Sequence, residues 1–221
     1  MITLYDNSVA ALGAAPAVFY RPPVLISSPS KQDGTNPAFT NCQPGDLLVA
    51  IAANSNTHSG VVPAATDSSG GTWTAWSSLA ESTNRSISII YQYATTQSHT
   101  VVWNTVNGIR QNFVFRDADI DNKILATFAS STTLDWPELT PITANSIVCT
   151  YIMSRGAQTA ATAVDLGGSY TSVSTRNLTP AGIVQTSSPN FVSSFNPSND
   201  TFDTASSGHM VAVFSVKGVT R

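Results

Sequence analysis

The stretch Pro44-Gly45-Asp46-Leu47-Leu48-Val49-Ala50-Ile51-Ala52-Ala53 decides the fold class. Pro-Gly-Asp is a strong turn signal, and the residues after it are apolar at every position. The run is too short for a typical helix, so it reads as a central strand of a packed sheet. Similar runs lie further along. Ile87, Ile89, Tyr91 and Tyr93 alternate with Ser88, Ile90 and Gln92, which gives one buried face. Val24-Leu25-Ile26 follows Pro22-Pro23, and Val101-Val102-Trp103 and Phe113-Val114-Phe115 are short runs bounded by Asn, Gly or Asp. Ile147–Met153 and Met210–Val216 are further strands. No segment has convincing helical periodicity; Ala160–Val164 offers at most one helical turn, and no repeat of constant period is present. The expected fold is all-β: one antiparallel β-sandwich over residues 21–221, jelly-roll-like or Ig-like, preceded by an N-terminal arm or edge segment at 1–20. Residues 53–71 and 196–208, rich in Asn, Ser, Pro and Gly, read as long loops.

Composition narrows the function. Charged residues are 10% of the 221, against about 25% in an average soluble domain. Ser (29) and Thr (27) fill the gap, while Lys occurs three times and Glu twice, at Glu81 and Glu138. Net charge is −3 with no basic block, so no nucleic-acid partner is expected. No apolar run approaches the ~20 residues that span a bilayer, so no membrane partner is expected either. The start, Met1-Ile2-Thr3-Leu4-Tyr5-Asp6, lacks a positive n-region and is a poor signal peptide. Cytoplasmic synthesis is therefore expected, with Cys42 and Cys149 as free thiols rather than a disulfide. The hydroxyl-rich, charge-poor surface nevertheless suits an extracellular setting.

Several pieces recur in a familiar order: Pro44–Ala50, Gly71-Thr72-Trp73-Thr74, Ile90–Ala94, Val101–Trp103, Phe113-Val114-Phe115-Arg116-Asp117, Leu139-Thr140-Pro141 and the closing strand at 209–217. This order resembles a family of β-sandwich domains found in tailed-bacteriophage structural proteins and some bacterial surface proteins. Members often carry Tyr-Arg-Gly where this chain has Phe115-Arg116-Asp117, which implies a somewhat different turn here. The resemblance implies a non-enzymatic virion component made in the host cytoplasm. The leading expectation is a capsid decoration or cement protein. It would contact the major capsid protein or other virion proteins, as a homo-oligomer for which a trimer is the natural guess. The alternative is a receptor- or glycan-binding module of a tail fibre or tail tip. Contact regions expected on this reading are residues 1–20, 54–71 and 196–207.

Residues that could carry chemistry are few. His58, His99 and His209 are the only histidines, and no Gly-x-Ser-x-Gly elbow accompanies them; polar loop positions are the plainer reading of the first two. No cofactor and no metal site is expected, although Asp117, Asp119 and Asp121 alternate on an extended segment and supply hard oxygen ligands of the kind Ca²⁺ takes. A polar turn before the strand at Lys123–Phe128 is the alternative. For a host glycan or a protein interface the candidates are Trp73, Trp76, Asn84 and Arg85, with Trp103 and Trp136 further off. Trp73 and Trp76 differ in parity and should face opposite sides of a strand, one in the core.

Overall fold

The computed structural model describes residues 19–28, 30–32, 38–54, 65–67, 71–81, 85–103, 109–129, 131–134, 136–140, 142–143, 145–154, 161–162, 170–174, 181–185, 200–206 and 209–220. Among these there is no helix. In chain order the strands are β1 (Tyr20–Arg21), β2 (Val24–Ser27), β3 (Ser30–Gln32), β4 (Ala38–Phe39), β5 (Leu47–Asn54), β6 (Ala65–Asp67), β7 (Thr74–Glu81), β8 (Arg85–Tyr93) and β9 (His99–Trp103). They continue with β10 (Ile109–Arg116), β11 (Ala118–Phe128), β12 (Ser131–Leu134), β13 (Ile147–Ser154), β14 (Ala161–Thr162), β15 (Tyr170–Ser174), β16 (Ala181–Gln185), β17 (Asp200–Ser206) and β18 (His209–Thr220).

Two large antiparallel sheets form the body, a β-sandwich. The first runs β2-β10-β5-β8-β7, with β3 continuing the β2 edge along β10. The second runs β18-β13-β16-β15, with β1 and β11 both pairing β18. Their facing surfaces enclose Val49, Ile51, Ile89, Phe113, Cys149, Tyr151, Ala212 and Phe214. A chain of rings crosses this core. Phe115 stacks on Phe113 at 5.9 Å, Phe113 meets Phe214 edge-on at 5.6 Å, and Trp76 meets Phe214 at 5.5 Å and Tyr91 at 6.0 Å. Edge-on pairs of this kind contribute about 0.5–1.5 kcal/mol each beyond their burial. Tyr93 extends the chain to the rim, where its hydroxyl donates to Asp119 on β11 and so stitches one sheet to the other.

Both sheets are also covered on their outer faces. Over the first, Leu48, Ala50, Ala52, Ile90 and Val114 lie beneath Phe39, Cys42, Val101 and Trp103, carried partly by the small sheet β4-β9-β6. Over the second, Val148, Ile152, Val211 and Val213 lie beneath Trp136, Leu139 and Ile142. This is why Leu47–Ala53 and Met210–Phe214 are apolar at successive positions. Each side chain has a dry neighbour whichever way it points.

Four expectations need correction. Residues 200–206 are not loop: β17 pairs β12 and β14, because Thr201, Phe202 and Thr204 are strand formers set among turn-signalling neighbours. Ala161–Thr162 is a strand rather than a helical turn, since Gly156, Gly167 and Gly168 leave no room for helical nucleation and β17 offers a pairing edge. The acidic segment is not an extended polar turn either. Only Asp117 makes the corner, and β11 starts at Ala118. The expected loop at 53–71 shrinks as well, because β5 runs to Asn54 and β6 occupies 65–67. Of the expected arm, residues 1–18 lie outside the described residues, and Tyr20 already pairs with Thr220.

Asp117 has φ of 50°, the left-handed conformation that glycine adopts freely and that Asp tolerates better than most residues. One such residue suffices to move the chain from the first sheet to the second. Beside this corner, Gly218 pairs with Ala118 and is covered by β1. A Cβ there would lie 2.1 Å from the Arg21 carbonyl oxygen and 2.6 Å from the Tyr20 ring. Gly218→Ala is therefore expected to lift β1 off the sheet and to lower stability by about 1–3 kcal/mol in urea unfolding. Cleavage by chymotrypsin after Tyr20 should accelerate in the same variant.

Candidate functional site

At the end of the first sheet nearest the β10–β11 corner, Arg116 faces outward beside the turn formed by Pro44-Gly45-Asp46. Asp46 is 3% exposed and receives three hydrogen bonds. The Gln43 N–H donates to Oδ2 at 2.8 Å, and Arg116 donates Nε to Oδ1 at 3.1 Å and Nη2 to Oδ2 at 3.0 Å. The fork-on-carboxylate geometry is the strong form of this pair, and it raises the Arg116 pKa further. Backbone bonds fasten the turn to the end of β8: Gly45 N–H to Ala94 O at 2.8 Å, and Ala94 N–H to Asp46 O at 2.8 Å. Asn41 sits at φ 62°, with its carbonyl 3.4 Å from Arg116 Nη2.

Between these turns lies an open cleft of about 510 Å³, lined by Ile26, Asn41, Cys42, Gln43, Gln97 and Arg116. A smaller depression of about 130 Å³ adjoins it, with Gln43 and Arg116 as common wall and Arg21 and Asp117 beyond. Gln97 belongs to the turn that leads into β9, and a buried network holds that turn. His99 is 1% exposed, with Nδ1 2.9 Å from Asp67 Oδ2. Its Nε2 accepts the backbone N–H groups of Thr95 at 3.2 Å and Thr96 at 3.3 Å, which fixes the tautomer with the proton on Nδ1. Gln92 donates to the same Asp67 oxygen, and a Cβ at Gly71 would meet both groups within 2.7 Å.

His99 is thus no exposed loop residue. It opens a strand and is buried because Asp67 and the turn amides meet all its polar demands. Thr96 Oγ1 lies 3.3 Å from Nε2 but donates to Ser98 O at 2.8 Å, so the trio clamps a turn and holds no primed nucleophile. His209 opens β18 and stacks on Phe128 at 5.0 Å. His58 lies outside the described residues.

The other candidates disperse. Asp117 pairs with Arg21 at 3.6 Å, and Asp119 accepts from Tyr93 and from the Ile120 N–H at 2.8 Å. Asp121 accepts from Thr143 N and Oγ1 at 2.8 and 2.7 Å and from Ser215 Oγ at 2.9 Å. It fastens the cover segment around Ile142 to β18. Among the described residues no group of three His, Cys, Asp or Glu is placed to hold a metal ion. Trp73 and Trp76 do face opposite sides of the first sheet, and both are half-buried. Trp73 packs on Phe39 at 5.4 Å in the outer layer, Trp76 lies in the central core with Lys123 Nζ 5.9 Å from its ring, and neither is a free stacking platform. Trp103 and Trp136 are buried. Asn84 lies outside the described residues, and Arg85 begins β8. Glu138 is exposed in the cover segment, and Glu81 ends β7.

Cys42 and Cys149 are free thiols in different layers, with the first sheet between them. Burial, reinforced by Asp46 and partly offset by Arg116, pushes the Cys42 thiol up to about 11, and burial raises Cys149 well above its ordinary value. A raised acid pKa means that the folded state retains protons the unfolded chain has released. The contribution is full below the ordinary thiol pKa of 9.0 and is lost as pH climbs towards 11. Urea midpoints should therefore fall between pH 9 and pH 11, and less steeply in Cys42→Ala. Removing the carboxylate charge in Asp46→Asn should cost about 2–3 kcal/mol, because the charged hydrogen bonds of the turn and of Arg116 weaken together. No protein-family model, no characterised protein and no solved structure matches this chain.

Proposed function

We propose that the chain is a non-enzymatic structural protein of a tailed-phage virion, an outer capsid decoration or cement protein that stabilises the head across subunit junctions. The observation that carries this reading is the exposed apolar strip at the start of the described chain. Phe19 is 68% exposed, and Tyr20 and Val24 are 42% and 49% exposed, beside edge strands of both sheets. An apolar strip on a surface this poor in charge suits contact with other proteins, because charges are costly to desolvate at an interface core whereas hydroxyls are satisfied locally. The resemblance of the sequence segments between Pro44 and the closing strand at 209–217 to phage sandwich domains supports the same assignment. The partners are the major capsid protein or other virion proteins, and the protein acts as a homo-oligomer, a trimer where it sits on a three-fold position.

A second reading, a receptor-facing module of a tail fibre or tail tip, is favoured by the open polar cleft at Arg116.

Quantitative mass spectrometry of purified virions separates the two. Decoration expects on the order of hundreds of copies per particle, since many modest contacts act together. It also expects particles lacking the protein to lose heat resistance. Recovery of a handful of copies with tail complexes overturns decoration in favour of the tail.

A further inference from the structure

We propose that the Arg116 cleft binds a neutral polyhydroxylated ligand, a pyranose unit of a glycan. The inference goes beyond the virion role and holds for a head or a tail location alike. It also moves any glycan site away from Trp73 and Trp76, whose rings are packed into the body.

Three properties of the cleft point the same way. The first is the matching of hydrogen-bonding groups. Asn41, Gln43 and Gln97 each present an amide that carries donor and acceptor side by side. Vicinal sugar hydroxyls are also donor and acceptor at once, so an amide meets a pair of them without leaving either unmatched. Ile26 and Cys42 add an apolar wall for the C–H face of a ring. The volume of about 510 Å³ lies within the range of small-molecule sites, and the adjoining depression past Arg116 lengthens the groove for a linked unit.

The second property is charge. Among the described residues the only cation lining the main cleft is Arg116, and Asp46 holds it in a bidentate pair, so these residues offer an anion no unneutralised partner. Nη1 of the guanidinium is not among the atoms that bond Asp46. A neutral polyol is favoured over phosphate or carboxylate.

The third property is rigidity. The Gln43 wall is fixed by Asp46 and by the paired bonds to Ala94, and the Gln97 wall by the N–H groups that His99 accepts. Walls set before the ligand arrives lower the ordering cost of binding. Sequence positions 41–46 and 92–99 are far apart, yet both turns are clamped by buried carboxylates against this one opening.

The test is an NMR titration of the full chain with glucose, galactose, mannose and N-acetylglucosamine, with inorganic phosphate as the anionic comparator. Saturable millimolar shifts centred on the Asn41, Gln43 and Gln97 side-chain amides for at least one sugar are expected. Phosphate should produce none there. Gln97→Ala, an exposed change that leaves the clamps intact, should weaken the sugar about tenfold through loss of one amide's hydrogen bonds. The proposal is overturned if none of these sugars shifts the cleft, if phosphate binds it more tightly, or if Gln97→Ala binds as the parent does. None of those results touches the virion assignment, which the copy number decides separately.

Discussion

Burial of both faces of β5 and β18 is the constraint on which the other layers depend. A strand with apolar residues on each side cannot sit on the outside of an ordinary two-layer sandwich. Something must keep water from Leu48, Ala50 and Ala52 on one side of the body and from Val211 and Val213 on the other. The chain meets this with a small sheet over the first face and an irregular cover over the second. Each fully buried Val, Leu or Phe contributes about 1.5–3 kcal/mol, so the outer layers contribute as part of the core.

Apolar cover alone does not fix position, and the polar groups beneath the covers supply that. Asp67 and His99 tie the small outer sheet to Gln92 of the first sheet. Asp121 ties the Ile142 segment to β18. Asp46 and Arg116 tie the turn before β5 to the end of β10. In a chain with only thirteen acidic residues, these three are engaged by partners distant in sequence. Scarce charge is concentrated where layers must register.

The central strands were legible because their signals are local: a Pro-Gly-Asp turn, then uninterrupted Leu, Val, Ala and Ile. The opposite facing of Trp73 and Trp76 was legible for the same reason, since parity is a short-range property. What failed were features that depend on distant partners. Asp200–Ser206 looks like loop in isolation and becomes a strand because β12 and β14 are there to pair with it. His99 looks like a loop histidine until Asp67, 32 positions earlier, comes to lie against it. The cleft was illegible altogether. Its amides form no motif, and Asp46 and Arg116 are 70 positions apart. The residue between the sheets was half legible: a Gly-like turn could be suspected at Asp117, but not that one residue would carry the whole crossing.

The pairing of Tyr20 with Thr220 and Arg21 with Val219 has a consequence for handling the molecule. The described chain enters and leaves the sandwich as neighbouring strands, so its two attachment points lie a few ångströms apart, as paired strands do. A body tethered at one spot can be grafted into a surface loop of another protein, or joined end to end and reopened elsewhere, without stretching either partner. Any load carried through its ends would peel β1 from β18 like a zip and leave the ring-filled centre untouched.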